Sequence, residues 1–222
     1  MERQGPPKPG LLSFSRATPI RLITRLRFCL TGALVVSAIA GCSTNTAPLT
    51  YAGTAQTRAP MATISALYVV DHRNEADPTW YGAIRGGFGN PLKTLHSDKP
   101  IQTTFRDAFE AALAARGVHL DPRTKGPAVS VTVAEFEADQ VMRSEVKMRF
   151  DVAVADAASG RQYYQREIYE DPVSGAALAT GIFADTKDLQ ALTQATMDRA
   201  IDDAIDEPAF LVAIRSHQPN GA

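Results

Sequence analysis

The sequence is poor in cysteine, in net charge and in long apolar runs. Cys29 and Cys42 are the only cysteines in 222 residues, too few for the disulfide framework of a small secreted scaffold. A formal net charge of -1 lacks the basic excess of a strongly cationic nucleic-acid-binding domain, so no nucleic-acid partner is expected. No series of membrane-length apolar segments occurs, which excludes a multi-spanning membrane protein. Bulky apolar side chains are also leaner than the 45% hydrophobic content implies, because 35 of those residues are alanine. The composition is still that of a globular chain and not of a disordered tail.

The average charge hides two unlike parts. Of 23 basic and 24 acidic residues, six and one fall within residues 1–41, which leaves 17 and 23, a net of -6, for the rest. Within the basic part, FCLTGALVVSAIA from Phe28 to Ala40 runs thirteen residues without a charge. A spanning helix needs about 20, so this is the length of a signal-peptide core, with Arg21, Arg25 and Arg27 as its positive flank. Ile39-Ala40-Gly41-Cys42 follows and resembles the bacterial lipobox. Small residues let an extended backbone enter a protease cleft, and the Cys42 thiol is the nucleophile that takes a diacylglycerol as a thioether. Cleavage is expected between Gly41 and Cys42, with lipidation at Cys42. The competing reading is a buried apolar helix that ends at Gly41, with Cys42 as a small core residue. Basic residues before the run and Ser/Thr-rich sequence after it favour the lipoprotein. The membrane partner is then reached through diacylglycerol and N-acyl chains on Cys42, since two or three chains hold stably where one does not. Ser43, in place of the aspartate that retains enteric lipoproteins at the inner membrane, points to the inner leaflet of the outer membrane, facing the periplasm.

Three segments are expected: a signal peptide at 1–41, an acylated N-terminus and flexible tether at 42–63, and a single periplasmic domain at 64–217. The tether reading rests on small polar composition with Pro48 and Pro60 and no hydrophobic period. Ile64 to Val70 reads as a buried strand ending at Asp71. Residues 72–98, with Pro78, Gly82, Gly86, Gly87, Gly89 and Pro91, read as a long irregular loop. Ile101, Phe105, Ala108, Phe109, Ala112 and Leu113 mark one helix face, with Asp98 as N-cap and Gly117 beyond the C-terminus. Val129, Val131 and Val133 alternate with polar residues. Val146 to Val154 alternate with Glu145, Lys147, Arg149 and Asp151, a strand with one buried and one charged face. DAASG at 156–160 turns the chain into a third strand at 161–170. A last helix starts near Asp185, and Pro208 ends it or opens a second one. The fold class is α+β: an antiparallel sheet of three to five strands, two helices packed on one face, and the charged face open.

The lipobox, the strand ending in Asp71-His72-Arg73, Ile84-Arg85-Gly86, Val131-Thr132-Val133 and the helix before EPAFLVAI together resemble the YajG-like family of small bacterial lipoproteins. The resemblance spans about 64–214. It implies an outer-membrane lipoprotein without a defined reaction.

Chemical constellations are weak. His72, His96, His119 and His217 are scattered without helical pairing, so no metal site and no cofactor is expected. Gly86-Gly87-Phe88-Gly89 lacks the spacing and the Lys-Ser/Thr of a phosphate loop. Asp71 and His72 are adjacent on extended backbone and point to opposite sides; Asp71 capping the turn and Arg73 pairing a local carboxylate is the simpler reading. Glu135 and Glu137 share a strand face, for acid–base work or simply for solvent. No catalytic residue is assigned. Trp80, Tyr81 and Phe88 stand in the supposed long loop, either as anchors for a partner protein or glycan strand or folded back over the open sheet. The uncharged segment 173–184 is a buried connection or a partner-contacting flap. The expectation is a non-enzymatic, lipid-anchored binding or scaffold module for another envelope component. The alternative is an accessory subunit of a lipid or lipopolysaccharide transport system, which calls for an apolar groove between the last helix and the sheet.

Overall fold

The computed structural model describes residues 43–53, 61–176 and 181–218, all within a unit spanning Gly41–Ala222. The expected signal segment and the Gly41–Cys42 cleavage and lipidation site lie outside the described residues. The elements, in chain order, are β1 (Ser43–Thr46), β2 (Ala62–Ile64), β3 (Ala66–Asp71), β4 (Trp80–Arg85), β5 (Pro91–His96), α1 (Ile101–Ala115), β6 (Val118–Leu120), β7 (Pro127–Gln140), β8 (Arg143–Asp156), β9 (Gln162–Glu170) and β10 (Val173–Ala176). A 3₁₀ turn (Gly181–Phe183), α2 (Thr186–Asp206) and α3 (Pro208–Arg215) complete the chain.

The β7–β8 hairpin is the spine of the sheet. Its strands have 14 residues each, long enough to serve different neighbours at their two ends. The first half of β7 pairs in parallel with β3, from Ala66–Ala128 to Asp71–Val133, and its second half pairs in parallel with β4, from Gly82–Ala138 to Ile84–Gln140. The later part of β8 pairs antiparallel with β9, and its first residues pair with β10. An irregularity between Val133 and Glu135 lies between the β3-paired and β4-paired halves of β7, as a bulge does when a strand must bend. Period-2 alternation then gives the hairpin two unlike faces. Val129, Val131, Val133, Phe136 and Ala138 on β7 are buried, as are Val146, Met148, Phe150, Val152 and Val154 on β8. Helices α1 and α2 cover that side, and a chain of aromatic contacts runs through it. Phe136 meets Tyr81 at 5.9 Å and Phe105 at 5.2 Å, and Phe150 meets Phe105 at 5.8 Å and Phe109 at 5.7 Å, within the range where edge-to-face pairs stabilise.

The α+β class holds, but the sheet differs from the expected three to five antiparallel strands. Among the described residues it is mixed and eight-stranded, with a separate small parallel pair, β2–β6, and three helices stand where two were expected. Beyond the parallel pairing of β3 with β7 and the short β10 on β8, two segments supply the strands that were not expected. Residues 72–98 are not one irregular loop, because they contain the antiparallel hairpin β4–β5. Its glycines have separate tasks. A Cβ at Gly82 would sit 2.1 Å from the Ala138 carbonyl oxygen, so only glycine lets β4 lie against β7. Gly89, at φ 81°, closes the turn between β4 and β5.

The second segment is 43–53, assigned to the tether from its composition. It forms β1, which pairs in parallel with β5 from Ser43–Lys93 to Thr46–His96. It then runs along α2: Asn45 donates to Thr186, the Thr50 amide to Gln194 and the Ala52 amide to Asp198. Ala47 and Leu49 are buried. The end of this segment is locked by Arg116, which follows α1. Its guanidinium donates to Asp206 at 2.7 and 2.6 Å, to Asp202 at 2.8 Å, to the Tyr51 hydroxyl at 3.1 Å and to the Ala112 carbonyl at 3.1 Å, and the Tyr51 hydroxyl also bonds Asp202. All its donor groups are engaged, which is what makes a buried cation tolerable.

Local signals elsewhere read well. Asp185 caps α2 by accepting from the Lys187 amide at 3.0 Å. Gly117 takes φ 78° beyond α1, and Pro208 opens α3 as its first residue. At α1 the N-cap is Pro100 without a side-chain bond, not Asp98. The expected strand 64–70 is broken at Ser65, whose hydroxyl donates to the Gly126 carbonyl at 2.7 Å.

Candidate functional site

The open side of the β7–β8 hairpin carries the charged groups. Glu135, Glu137 and Asp139 project from β7, and Glu145, Lys147, Arg149 and Asp151 from β8. They form pairs across and along the strands: Arg149 to Glu135 at 3.8 Å, Lys147 to Glu145 at 2.9 Å, and Arg85 of β4 to Glu137 at 3.3 Å and Asp139 at 2.9 Å. Toward the β7–β8 turn the face hollows into a cavity of about 340 Å³ lined by Glu137, Asp139, Val141, Met142, Arg143, Glu145 and Lys147. Burial and the Asp139 carboxylate hold the proton affinity of Glu137 above the usual carboxylate range, with Arg85 opposing them. Away from this hollow, on the same side of the sheet, Tyr68 and Val70 of β3 stand exposed opposite Ser130 and Thr132 in the first half of β7, and Tyr169 of β9 stands exposed opposite Arg149. The Tyr169 hydroxyl donates to Asp171 at 3.1 Å.

Of the three aromatics expected to bind a partner, the structure keeps only one in the open. Phe88 is fully exposed at the tip of the β4–β5 turn. Trp80 is half-buried at the start of β4. Tyr81 is buried on the helix side against Phe136. Its hydroxyl has no hydrogen-bond partner among the described residues, and burial pushes its pKa up to about 12. The three were grouped because they lie in a supposed loop. A strand with a register shift between Trp80 and Gly82 sends them to different surroundings.

Asp71 and Arg73 form a structural clamp. Arg73 donates to both Asp71 oxygens at 2.9 and 2.8 Å, to the Trp80 carbonyl at 2.8 Å and to the Phe136 carbonyl at 3.4 Å. It ties the end of β3 to the start of β4 beside the irregular part of β7. Burial raises the Asp71 pKa, but the hydrogen bonds and charge of Arg73 outweigh it and hold the carboxyl below its ordinary value. His72 is exposed. His96 contacts Thr79, Asp77 and Thr94, each at 3.2 Å. His119 is exposed on β6, and His217 stacks on Tyr163 at 3.4 Å. Among the described residues no group of three His, Cys, Asp or Glu side chains is placed to hold a metal ion, and no helix is long and apolar enough to cross a membrane.

The hollow brings together Asp139, Arg143 and Lys147 with Val141 and Met142, none of which stood out as a binding residue in the sequence. The available signal was the pair Val141-Met142, two apolar residues between two strands whose outward positions are charged.

No protein-family model matches the chain, and no curated protein matches it. Among solved structures it is similar to a Xanthomonas campestris protein of the DUF330 family, with 13% identity and a TM-score of 0.56 over 75% of this chain and 95% of that one. At that identity the likeness is one of fold. Weaker likenesses join the chain to the minor lipoprotein of Acinetobacter baumannii (14% identity, 74% of this chain and all of that one, TM-score 0.37). Rare lipoprotein B of Shewanella oneidensis is comparable (14% identity, 65% and 93%, TM-score 0.36). The last two are bacterial lipoproteins by name.

Proposed function

We propose that this chain is a lipid-anchored envelope protein of YajG-like type, attached through Cys42 at the inner leaflet of the outer membrane. Its domain acts as a non-enzymatic binding module for another envelope protein or glycan. The observation that carries the binding role is the uncovered sheet face. Tyr68 and Tyr169 are 59% and 57% exposed at its two margins, Tyr169 opposite Arg149 of the Arg149–Glu135 pair, and a cavity opens on the same face toward the β7–β8 turn. Tyrosine and arginine on a rigid surface are the residues that recognition sites favour. Glu137 has a raised proton affinity, and Arg85 pairs with both it and Asp139, an arrangement that supports a binding role.

The transport-subunit alternative gains no comparable support. The seam where the last helix meets the sheet is filled by Phe210, Ala213 and Ile214. A photo-crosslinking residue placed at 68 or 169 in living cells is expected to trap one defined envelope component. The same residue at Val212, exposed on α3, is expected to trap none. Equal adducts at all three positions, or none at any, would remove the face as the binding site. Separately, feeding cells a palmitate analogue is expected to label the protein but not its Cys42→Ala variant.

A further inference from the structure

One end of the sheet, where the hollow of the open face reaches the β7–β8 turn, gathers features that the core does not use. β1 runs parallel to β5, so its first residue, Ser43, stands at the end where β4 turns into β5. β7 runs parallel to β4 and places the β7–β8 turn at this same end. β10 finishes there beside Arg143. The 3₁₀ turn returns to it, with Lys93 donating to the Ala184 carbonyl at 2.7 Å. The tips of these connections are apolar and unburied. Phe88 is fully exposed, Phe183 is 81% exposed, Met142 is 74% exposed, and Val141 joins them. Every other phenylalanine among the described residues is buried. Four large apolar side chains on three connections, all facing water at one end, carry a cost that folding does not explain.

The start of the chain's ordered part supplies the occupant. Cys42 precedes Ser43 by one peptide bond, about 3.8 Å between Cα atoms, and Ser43 already belongs to β1. An acyl chain on Cys42 therefore enters the bilayer with no spacer between it and the sheet. We infer that this end, with Phe88, Val141, Met142 and Phe183, is a membrane-seating rim. It inserts into the headgroup region around the anchor and holds the domain flush with the lipid, its strands rising from the surface and its charged face open sideways. Exposed Arg143 stands at the same end, where a guanidinium meets lipid phosphates while aromatic and aliphatic side chains sit below them. The inference rests on acylation of Cys42 for the anchor, but the rim itself is a property of the folded domain.

The test uses the acylated protein, purified from membranes and reconstituted in mixed phosphatidylethanolamine–phosphatidylglycerol vesicles. An environment-sensitive fluorophore is attached to Phe88→Cys, Phe183→Cys or, as control, Ser159→Cys in the β8–β9 turn at the far end of β8. Positions 88 and 183 are expected to shift to the blue and to be quenched several-fold more than 159 by lipid-borne nitroxides. Signals at 88 and 183 equal to that at 159, in protein that carries the palmitate label, would overturn the rim and leave the anchor standing. The unacylated chain beginning at Ser43, which keeps every core residue among the described ones, from Ala47 to Ile214, separates the two ideas the other way. Its flotation with the same vesicles, abolished in Phe88→Ser/Phe183→Ser without a change in unfolding midpoint, would support the rim even if Cys42 proves unlabelled.

Discussion

The two faces of the β7–β8 hairpin come from the same 28 alternating positions and behave as different materials. The covered face is a closed apolar layer in which Phe136 and Phe150 contact the aromatic side chains of α1. The open face is a lattice of ion pairs at 2.9–3.8 Å with exposed tyrosines at its margins. Apolar burial is worth about 25 cal/mol per Å² and needs no angular match, whereas exposed ion pairs contribute about 0–1 kcal/mol each. The covered face therefore holds the fold, and the open face is free to be chosen for what it contacts.

Four substitutions would break or sharpen that contrast. The largest effect is expected from Phe150→Ala, which removes a side chain with no exposure from the middle of the layer. It should cost about 3–5 kcal/mol in urea unfolding, and a loss below about 1 kcal/mol would mean the layer is not the core. Next comes Asp71→Asn, at the margin of the covered side, which leaves the buried Arg73 guanidinium without its counter-charge and should cost about 1.5–3 kcal/mol at neutral pH. Because the folded-state pKa of Asp71 lies below its ordinary value of 3.8, its contribution is complete above that value and is lost as pH falls through the folded-state pKa. The gap between wild type and variant should therefore close in acid; a gap that widens there contradicts the clamp.

Arg149→Ala, on the open face, should change stability by less than about 0.5 kcal/mol while weakening capture of the partner. The smallest effect carries the opposite sign. Glu137 has a raised folded-state pKa, so its charge opposes folding at neutral pH. Glu137→Gln should stabilise slightly, by under about 0.5 kcal/mol, and that gain should vanish as pH falls below 4.5, its ordinary value. Calorimetry across pH would detect a gain that instead grows in acid, which would reverse the assignment.

Legibility followed the range of the interactions. Helices α1 and α2, the alternating hairpin and the Asp185, Gly117 and Pro208 signals depend on neighbours within a few residues, and they were readable. The β4–β5 hairpin was hidden because its glycines look like loop punctuation. Gly82 is there to let β4 approach the Ala138 carbonyl, a requirement set more than 50 positions away. Segment 43–53 was hidden for a related reason. Its small polar residues resemble linker, and what makes it structure is pairing with β5 and the bond between Tyr51 and Arg116. Tyr81 was misplaced with Trp80 and Phe88 because adjacency in a supposed loop says nothing about the face of a strand.

Sequence alone determined the division into a basic, apolar leader-like part and an acidic domain, the α+β class, and a hairpin with one charged and one apolar face. These follow from composition and from periods of 2 and 3.6, which are local. Only the tertiary structure decided that β3 and β4 share β7 in parallel, that the chain joins the sheet at Ser43, and that Phe88, Met142 and Phe183 meet at one end. Those are pairings between distant segments. Their energies come from register, close approach and burial, none of which is written in any single stretch of residues.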